Sequence, residues 1–246
     1  MRIEIFQKGF NYSQDGEGNR LVYHFCGCNM RCMWCANPEG FAEKGGVLSP
    51  NGSPYTPVSL AAEAISCKAM FFDGGGVTFT GGEPTLQFAA LKESLKLLKE
   101  NGIRTALETN ATHPDLAQLF PLIDTLIMDF KHIDDEWHRK VTGVSNAETK
   151  KNIRAALAAH PHTLIRTVLV RGVNDGEEHA RAFAAFYGQC DTSRAAFEFL
   201  PYHEYGKKKW EKRNLPYRVE NGFVTEETVA MYRRIYEEHN LKVIRT

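Results

Sequence analysis

Four cysteines stand close together near the start of the chain, in the stretch YHFCGCNMRCMWCAN between Tyr23 and Asn37. Outside the secretory pathway, clustered thiols are more often metal ligands or redox-active groups than structural disulfides. The N-terminal stretch MRIEIFQKGFNYSQDGEG lacks the apolar core of a signal peptide, and no apolar run approaches the ~20 residues that span a bilayer. We therefore expect a soluble cytoplasmic protein with a metal site and no membrane association.

Two metal centres compete for these thiols. All four cysteines could close around a tetrahedral zinc ion, although one residue between Cys26 and Cys28 is a short spacing for such a pair. Alternatively Cys28, Cys32 and Cys35 could hold one iron–sulfur cubane, with Cys26 as a buried bystander at the end of a strand. Soft thiolates suit both metals, so residue type alone does not decide. Three ligands on a four-iron cluster would leave one iron open to a substrate.

The elements that must position these thiols follow an alternating pattern of strand and helix. The predicted strands are Leu21–Phe25, Val77–Thr80, Arg104–Glu108, Thr125–Phe130, Leu164–Val170, Ala196–Pro201 and a last one at Leu241–Arg245. The predicted helices are Val58–Met70, Leu86–Glu100, His113–Leu119, Glu148–Ala159, Glu177–Gly188 and Glu226–Asn240. This alternation predicts an α/β fold with parallel strands, in which ligands collect at the C-terminal ends of the strands.

The composition fits one such domain over residues 1–246. Of the 246 residues, 43% are apolar and 24% charged, which is an ordinary globular balance. The formal net charge is +0, so no basic excess would neutralise phosphates, and a nucleic-acid partner is not favoured.

Further polar and glycine motifs follow the later strands. Gly81, Gly82 and Glu83 come directly after the second predicted strand, where missing side chains let backbone groups approach a ligand. The following strands end in LETN, IMDFK and LPYHEYGKKKW. Ionisable groups at the mouth of a parallel sheet are costly to bury unless they are paired or bind a ligand. The candidate residues in these three motifs are Glu108, Asp129, Lys131 and His203.

The cysteines after the first predicted strand have the spacing C-x3-C-x2-C, with an aromatic residue before the last cysteine. This pattern resembles the signature of the radical S-adenosylmethionine (SAM) superfamily. The resemblance implies that Cys28, Cys32 and Cys35 hold a 4Fe-4S cluster whose open iron binds SAM, and that Trp34 lies near the adenine. It also implies that the backbone of the GGE motif contacts the SAM amino group.

Within that superfamily, the chain is similar to the activating enzymes of glycyl radical enzymes, and most of all to the pyruvate formate-lyase type. The motifs that carry this similarity span Asp15 to Trp210 in chain order: DGEGNR, the cysteine triplet, GGGVTFTGGEPTLQ, ETN, MDFKH and LPYHEYGKKKW. The similarity implies a partial (β/α)6 barrel, with Asp129, Lys131 and His203 around SAM. It also implies that Asp15 touches the glycine loop of a partner enzyme.

Three departures from that pattern affect the expectations. Glu108 stands where an aspartate of a monovalent-cation site is expected, and Ile127 replaces a methionine there, so a cation site is an open expectation. The motif DGEGNR replaces DGPGIR, which alters the contacts expected near the partner loop. Residues 36–76 contain only Cys67 rather than extra cysteine clusters, which predicts a single 4Fe-4S cluster.

The chemistry implied by the resemblance is reductive cleavage of SAM, with one electron from a reduced flavodoxin or ferredoxin. The resulting 5′-deoxyadenosyl radical would abstract a hydrogen from a backbone glycine of the partner enzyme. Three alternatives remain open at this point. They are a radical SAM enzyme acting on a small molecule, such as 7-carboxy-7-deazaguanine synthase, a zinc-stabilised binding module, and a plain electron carrier.

Overall fold

The computed structural model describes residues 1–244 and contains a seven-stranded sheet whose strands follow one another in chain order. The strands are β1 (Ile5–Tyr12), β2 (Asn19–Phe25), β3 (Gly76–Gly81), β4 (Thr105–Thr109), β5 (Thr125–Asp129), β6 (Thr163–Leu169) and β7 (Ala195–Pro201). The helices are α1 (Pro57–Ser66), α2 (Phe88–Glu100), α3 (Asp135–Thr142), α4 (Ala147–Ala159), α5 (Glu177–Tyr187), α6 (Lys207–Lys212) and α7 (Glu226–Glu238). Within residues 1–244, every helix is too short or too polar to cross a bilayer.

The chain divides into two compact units that exchange segments along the sequence. The first unit consists of Met1–Asn29, Asn37–Thr109 and Asp115–Ile127. The second consists of Met30–Ala36, Asn110–Pro114 and Met128–Thr246. One boundary falls inside β5, and two others enclose Met30–Ala36, the segment that carries Cys32 and Cys35, so neither unit is a continuous stretch of chain.

The first unit contains β1 to β4. Strand β1 pairs antiparallel with β2, while β2, β3 and β4 pair in parallel. Tyr23, Phe25 and Phe79 form an aromatic centre between β2 and β3, with ring centroids 5.5 and 6.1 Å apart. Helix α2 buries Leu91, Leu95 and Leu98, which share one face at helical spacing.

The second unit contains β6 and β7, which pair in parallel from Thr163 to Pro201. Its core is aromatic: Tyr187, Phe197 and Tyr236 are buried, and their rings lie 4.6 to 6.0 Å apart. Such edge-on and tilted ring contacts add to the free energy of burial, because the positive ring edge faces a negative ring face.

Six of the predicted strands are confirmed with boundaries that differ by at most two residues. Strand β1 was missed. It lies at the edge of the sheet, and its exposed side carries Phe10 and Tyr12, so it shows no clean alternation of apolar and polar residues. The predicted strand Leu241–Arg245 reduces to a single bridge between Val243 and Phe197, and Arg245 lies outside the described residues.

Helix α3 was also missed, although its ends carry clear signals. Asp134 accepts a hydrogen bond from the Trp137 amide at 2.8 Å as the N-cap, and Gly143 ends the helix with a φ of 87°. Conversely, the helix predicted at His113–Leu119 is a 3-10 helix at Leu116–Leu122. Pro121 lies inside that segment and cannot donate the hydrogen bond that an α-helix requires.

Candidate functional site

The cysteine loop, Cys26–Cys35, follows the end of β2, and its cysteines are divided between the two units. Cys26 and Cys28 belong to the first unit, and Cys32 and Cys35 to the second. Cys26 is buried directly after β2, and its amide donates to the Glu4 carbonyl at 2.9 Å. Its sulfur lies where a side chain on Gly45 would stand, at 2.9 Å from the position of a Cβ atom. Cys26 is thus packed into the first unit, as a bystander would be.

In the second unit, Cys32 and Cys35 are joined by a tight turn in which the Cys35 amide donates to the Cys32 carbonyl at 3.1 Å. Trp34, between them, is buried. Burial raises the pKa of the Cys32 thiol to about 12, and the positive charge of Lys131 acts in the opposite direction. A soft metal centre would replace the proton on such a thiol, because the thiolate is the form that binds metal.

Helix α3 anchors the backbone of this loop. The amides of Arg31 and Met33 donate to the carbonyls of Thr142 and Val141, at 2.7 and 3.0 Å. The last carbonyls of a helix have no partner within the helix, so the loop supplies donors that α3 lacks. The missed helix therefore holds the two residues that flank Cys32.

Lys131 and Asp129 form an ion pair at the end of β5. The Lys131 ammonium lies 3.0 Å from the Asp129 carboxylate, and the two side chains are 13% and 22% exposed. Burial would lower the pKa of Lys131, but the charge and hydrogen bond of Asp129, together with the negative charge that Cys32 and Cys35 carry as thiolates, outweigh it and raise the pKa above its ordinary value. The pair is thus largely buried and interacts electrostatically with the cysteine loop.

His203 follows β7 in the second unit and is half-buried. Its ring stacks on Tyr205 with centroids 4.2 Å apart, and the Tyr205 amide donates to its Nδ1 at 3.3 Å. Because Nδ1 accepts this bond, the ring proton of the neutral form resides on Nε2. Burial lowers the pKa of His203, which favours this neutral form.

Gly81 and Gly82 lie where the first unit has no room for side chains. Gly81 has a φ of 122°, and a Cβ atom there would stand 2.3 Å from the Phe25 amide nitrogen. At Gly82 a Cβ atom would stand 2.1 Å from the Gly27 carbonyl oxygen. These contacts require glycine and bring the turn after β3 against the turn after β2.

Glu83 is fully buried and its carboxylate organises the same turn. The oxygen Oε1 accepts hydrogen bonds from the Thr85 amide at 3.0 Å, the Thr85 hydroxyl at 2.5 Å and the Thr109 hydroxyl at 2.7 Å. Its amide donates to the Gly27 carbonyl at 2.7 Å. Glu83 therefore ties the ends of β3 and β4 together.

Asp15 and Glu108 are both attached to strand β3. The Thr78 hydroxyl donates to the Asp15 carbonyl at 2.7 Å, and the Thr80 hydroxyl donates to the Glu108 carboxylate at 2.6 Å. The Asp15 carboxylate in turn accepts from the Asn11 amide group at 2.6 Å. Side chains two apart on a strand point to the same face, so these two predicted residues are attached to one face of β3.

A buried ion pair that was not predicted from the sequence lies on β6 and β7. Arg166 and Glu198 are register partners on the two strands, and the guanidinium Nε lies 2.5 Å from the carboxylate. Their side chains are only 4% and 2% exposed. In the sequence, Arg166 and Glu198 each stand among mostly apolar strand residues. The signal that could have revealed the pair is that opposite charges occupy equivalent positions in two predicted parallel strands.

None of the six cysteines, which all lie within residues 1–244, forms a disulfide. Among residues 1–244, no group of three or more His, Cys, Asp or Glu side chains forms an arrangement that could hold a metal ion. The assignment of Cys28, Cys32 and Cys35 as cluster ligands thus remains a prediction from their spacing. Their soft donor atoms and the glycine turn beside β2 fit an iron–sulfur centre with a bound small molecule.

Known proteins are similar to this chain in both sequence and fold. The model of the radical SAM superfamily matches residues 22–184. The chain is 34% identical over 218 residues to the pyruvate formate-lyase-activating enzyme of Staphylococcus epidermidis, covering 84% of each chain. It is 32% identical over 216 residues to the enzyme of that name from Staphylococcus aureus, again covering 84% of each chain.

Solved structures give the same picture at the level of the fold. A domain of the pyruvate formate-lyase-activating enzyme from Bacteroides vulgatus superposes with a TM-score of 0.58 at 27% identity, covering 70% of this chain and 98% of that one. A radical SAM methyltransferase from Sphaerobacter thermophilus gives 0.63 at 14% identity, covering 96% of this chain and 67% of that one, and shares the fold alone. These likenesses and the unclosed sheet confirm the predicted α/β class and partial barrel.

Proposed function

The chain belongs to the radical SAM superfamily and, within it, to the family of pyruvate formate-lyase-activating enzymes, and on that basis we propose how its residues act. The protein is an activase that cleaves SAM reductively at a 4Fe-4S cluster and removes a hydrogen atom from a backbone glycine of a glycyl radical enzyme. The matched relatives are named as activating enzymes, which favours a protein substrate over the small-molecule alternative.

Cys28, Cys32 and Cys35 would hold the cluster and leave one iron for the amino and carboxylate groups of SAM. When bound, the cluster supplies one electron that breaks the bond between the SAM sulfur and C5′, with methionine and a hydrogen-abstracting 5′-deoxyadenosyl species as products. The turn from Cys32 to Cys35 and its anchors on α3 support this role, because they fix the backbone that carries two of the three cysteines.

The backbone at Gly81 and Gly82 would bind the SAM amino group. The close approach of this turn to the turn after β2 supports the assignment. Glu83 would contribute only through its backbone, because its carboxylate is engaged by Thr85 and Thr109. Trp34 would lie beside the adenine.

Lys131, Asp129 and His203 would complete the surroundings of SAM. The Lys131–Asp129 pair offers a cation and a carboxylate in fixed relative positions, which suits a zwitterionic ligand. Neutral His203, with its proton on Nε2, would donate one hydrogen bond and would not repel the positive sulfonium.

Glu108 would bind a monovalent cation near the SAM carboxylate. The Thr80 hydroxyl donates to this carboxylate at 2.6 Å, which supports a fixed position for it. Asp15 would contact the glycine loop of the partner enzyme, and the attachment of its carbonyl to Thr78 supports a fixed position for the turn that carries it. A reduced flavodoxin or ferredoxin would deliver the electron.

The single observation that carries this proposal is the cysteine triplet in a chain that is 34% identical to an activating enzyme over 84% of its length. The test uses anaerobically reconstituted protein, dithionite, SAM and purified pyruvate formate-lyase. We expect release of 5′-deoxyadenosine and a glycyl radical doublet in the electron paramagnetic resonance spectrum of the partner. A protein that carries a full 4Fe-4S cluster yet releases no 5′-deoxyadenosine would contradict the proposal.

A further inference from the structure

The segment that begins α6 approaches the cysteine loop unusually closely at Gly206. This residue has a φ of −78° and a ψ of −21°, a right-handed helical conformation that any residue adopts without strain. Yet a Cβ atom on Gly206 would stand 2.6 Å from the Cys35 carbonyl oxygen and 2.8 Å from the Ala36 Cα atom. Glycine is therefore needed here for the contact with Cys35, and its conformational freedom plays no part.

Trp210 contacts the same carbonyl from one turn further along α6. Its indole Nε1–H donates to the Cys35 carbonyl oxygen at 2.8 Å. The side chain is buried, and its ring packs edge-on against Tyr217 with centroids 5.6 Å apart. Because the indole has a single donor, that donor is committed to Cys35.

The cysteine loop is thus held from two sides within the second unit. The carbonyls of Val141 and Thr142 fix the amides on either side of Cys32. Gly206 and Trp210 fix the carbonyl of Cys35. The position of a thiol depends on the backbone that carries it. Each of these two sets of contacts therefore restricts where the sulfur atom of one cysteine can lie.

We propose that Gly206 and Trp210 are positioning residues for Cys35. They contact its peptide group, and so would restrict where its thiolate can lie when the 4Fe-4S cluster is bound. This inference rests on the proposed function, in which Cys35 is a cluster ligand. Residues that orient a metal ligand in this way typically change metal affinity about 10–100-fold when they are removed.

The experiment compares reconstituted full-length Trp210→Phe and Gly206→Ala with two matched controls. Tyr12→Phe removes an aromatic hydrogen-bond donor at the exposed end of β1, in the first unit. Gly188→Ala adds a methyl group at the end of α5, where the nearest atom to a Cβ lies 3.4 Å away. The measurements are iron and sulfide per chain, the rate of iron loss to a chelator, and the electron paramagnetic resonance spectrum of the reduced cluster.

We expect Trp210→Phe and Gly206→Ala to lose iron about tenfold or more faster than the wild type and to give a shifted spectrum, while both controls match the wild type. Two results would overturn the proposal. The first is a rate of iron loss and a spectrum equal to those of the controls. The second is faster iron loss with an unchanged spectrum and a lower melting temperature of the apo protein, because the variant would then be destabilised as a whole. A wild type that binds no 4Fe-4S cluster would instead refute the proposed function.

Discussion

Asp15 and Glu108 are bound to neighbouring threonines on one face of strand β3, although they are 93 positions apart in the printed sequence. Thr78 holds the Asp15 carbonyl and Thr80 holds the Glu108 carboxylate. Two residues along a strand span about 7 Å. The turn proposed to meet the partner enzyme and the carboxylate proposed to bind a cation are therefore supported by a single short stretch of β3.

This arrangement predicts different consequences for two identical substitutions. Thr78→Val removes the donor to Asp15 and the acceptor for buried Arg20, whose Nε donates to Thr78 at 2.6 Å. We expect the free energy of unfolding to fall by about 1–3 kcal/mol and the yield of partner glycyl radical to drop, while SAM cleavage without partner persists. The measurements are denaturant unfolding and radical yield per 5′-deoxyadenosine released.

Thr80→Val is the matched comparison, because the same change of side chain removes the hydroxyl that donates to Glu108 and leaves the support of Asp15 intact. Its effect should appear as weaker SAM binding, with the radical yield per cleaved SAM unchanged. If both variants lowered the same quantity by the same amount, the assignment of separate roles to Asp15 and Glu108 would be wrong.

Glu108 should make SAM cleavage depend on a monovalent cation. Glu108→Gln removes the negative charge but keeps the size of the side chain, so we expect the apparent affinity for potassium to fall about tenfold or more. The rate of 5′-deoxyadenosine release is measured across potassium concentrations, with a large organic cation maintaining the ionic strength. Glu100→Gln, at the exposed end of α2, serves as the control. Equal potassium dependence in both variants would exclude a cation site at Glu108.

The two buried cysteines of the loop should differ in their effect on the cluster. Cys32→Ser should abolish the cluster, because it removes a thiolate ligand. Cys26→Ser places a hydroxyl in a buried position and should cost about 1–3 kcal/mol of stability while leaving the iron content intact. Iron and sulfide analysis with thermal unfolding separates the two effects. Loss of the cluster in the Cys26 variant would contradict the three-cysteine assignment and favour a centre held by all four thiols.

The apo protein should lose stability as the pH falls through the ordinary pKa of histidine. Burial lowers the pKa of His132 and His138, both fully buried in the second unit, below the ordinary value of 6.5. The unfolded chain then binds more protons than the folded one, so the unfolding free energy decreases below about pH 6.5, by at most about 1.4 kcal/mol per pH unit for each histidine.

Urea unfolding at pH 7.5 and 5.5 measures this dependence. His138→Gln should flatten it, whereas His162→Gln, at an exposed position, should leave it unchanged. A wild type that is equally stable at both pH values would contradict the prediction. The result bears on the site because His138 lies in α3, whose last carbonyls hold the cysteine loop.

Much of the fold was accessible from the sequence because its parallel strands are short, strongly apolar runs followed by glycine or charged residues. Strand β1 and helices α3 and α6 were not. Edge strand β1 has exposed aromatics, and α3 is a short, highly charged helix whose cap residues, Asp134 and Gly143, identify it only once its length is known. The single-domain prediction stays a prediction, since the structure divides the chain into two interleaved units.

The sequence by itself determined which chemistry we propose for the site, through the cysteine spacing, the GGE turn, and the charged residues that end β4 and β5. These are local patterns, and local patterns can be recognised in one dimension. Only the tertiary structure showed that the Glu83 carboxylate joins the ends of β3 and β4, and that Thr78 and Thr80 hold Asp15 and Glu108. It also showed that Trp210 donates to the Cys35 carbonyl. Trp210 and Cys35 are 175 residues apart, and a hydrogen bond between groups that distant depends on how the chain packs, which no local pattern records.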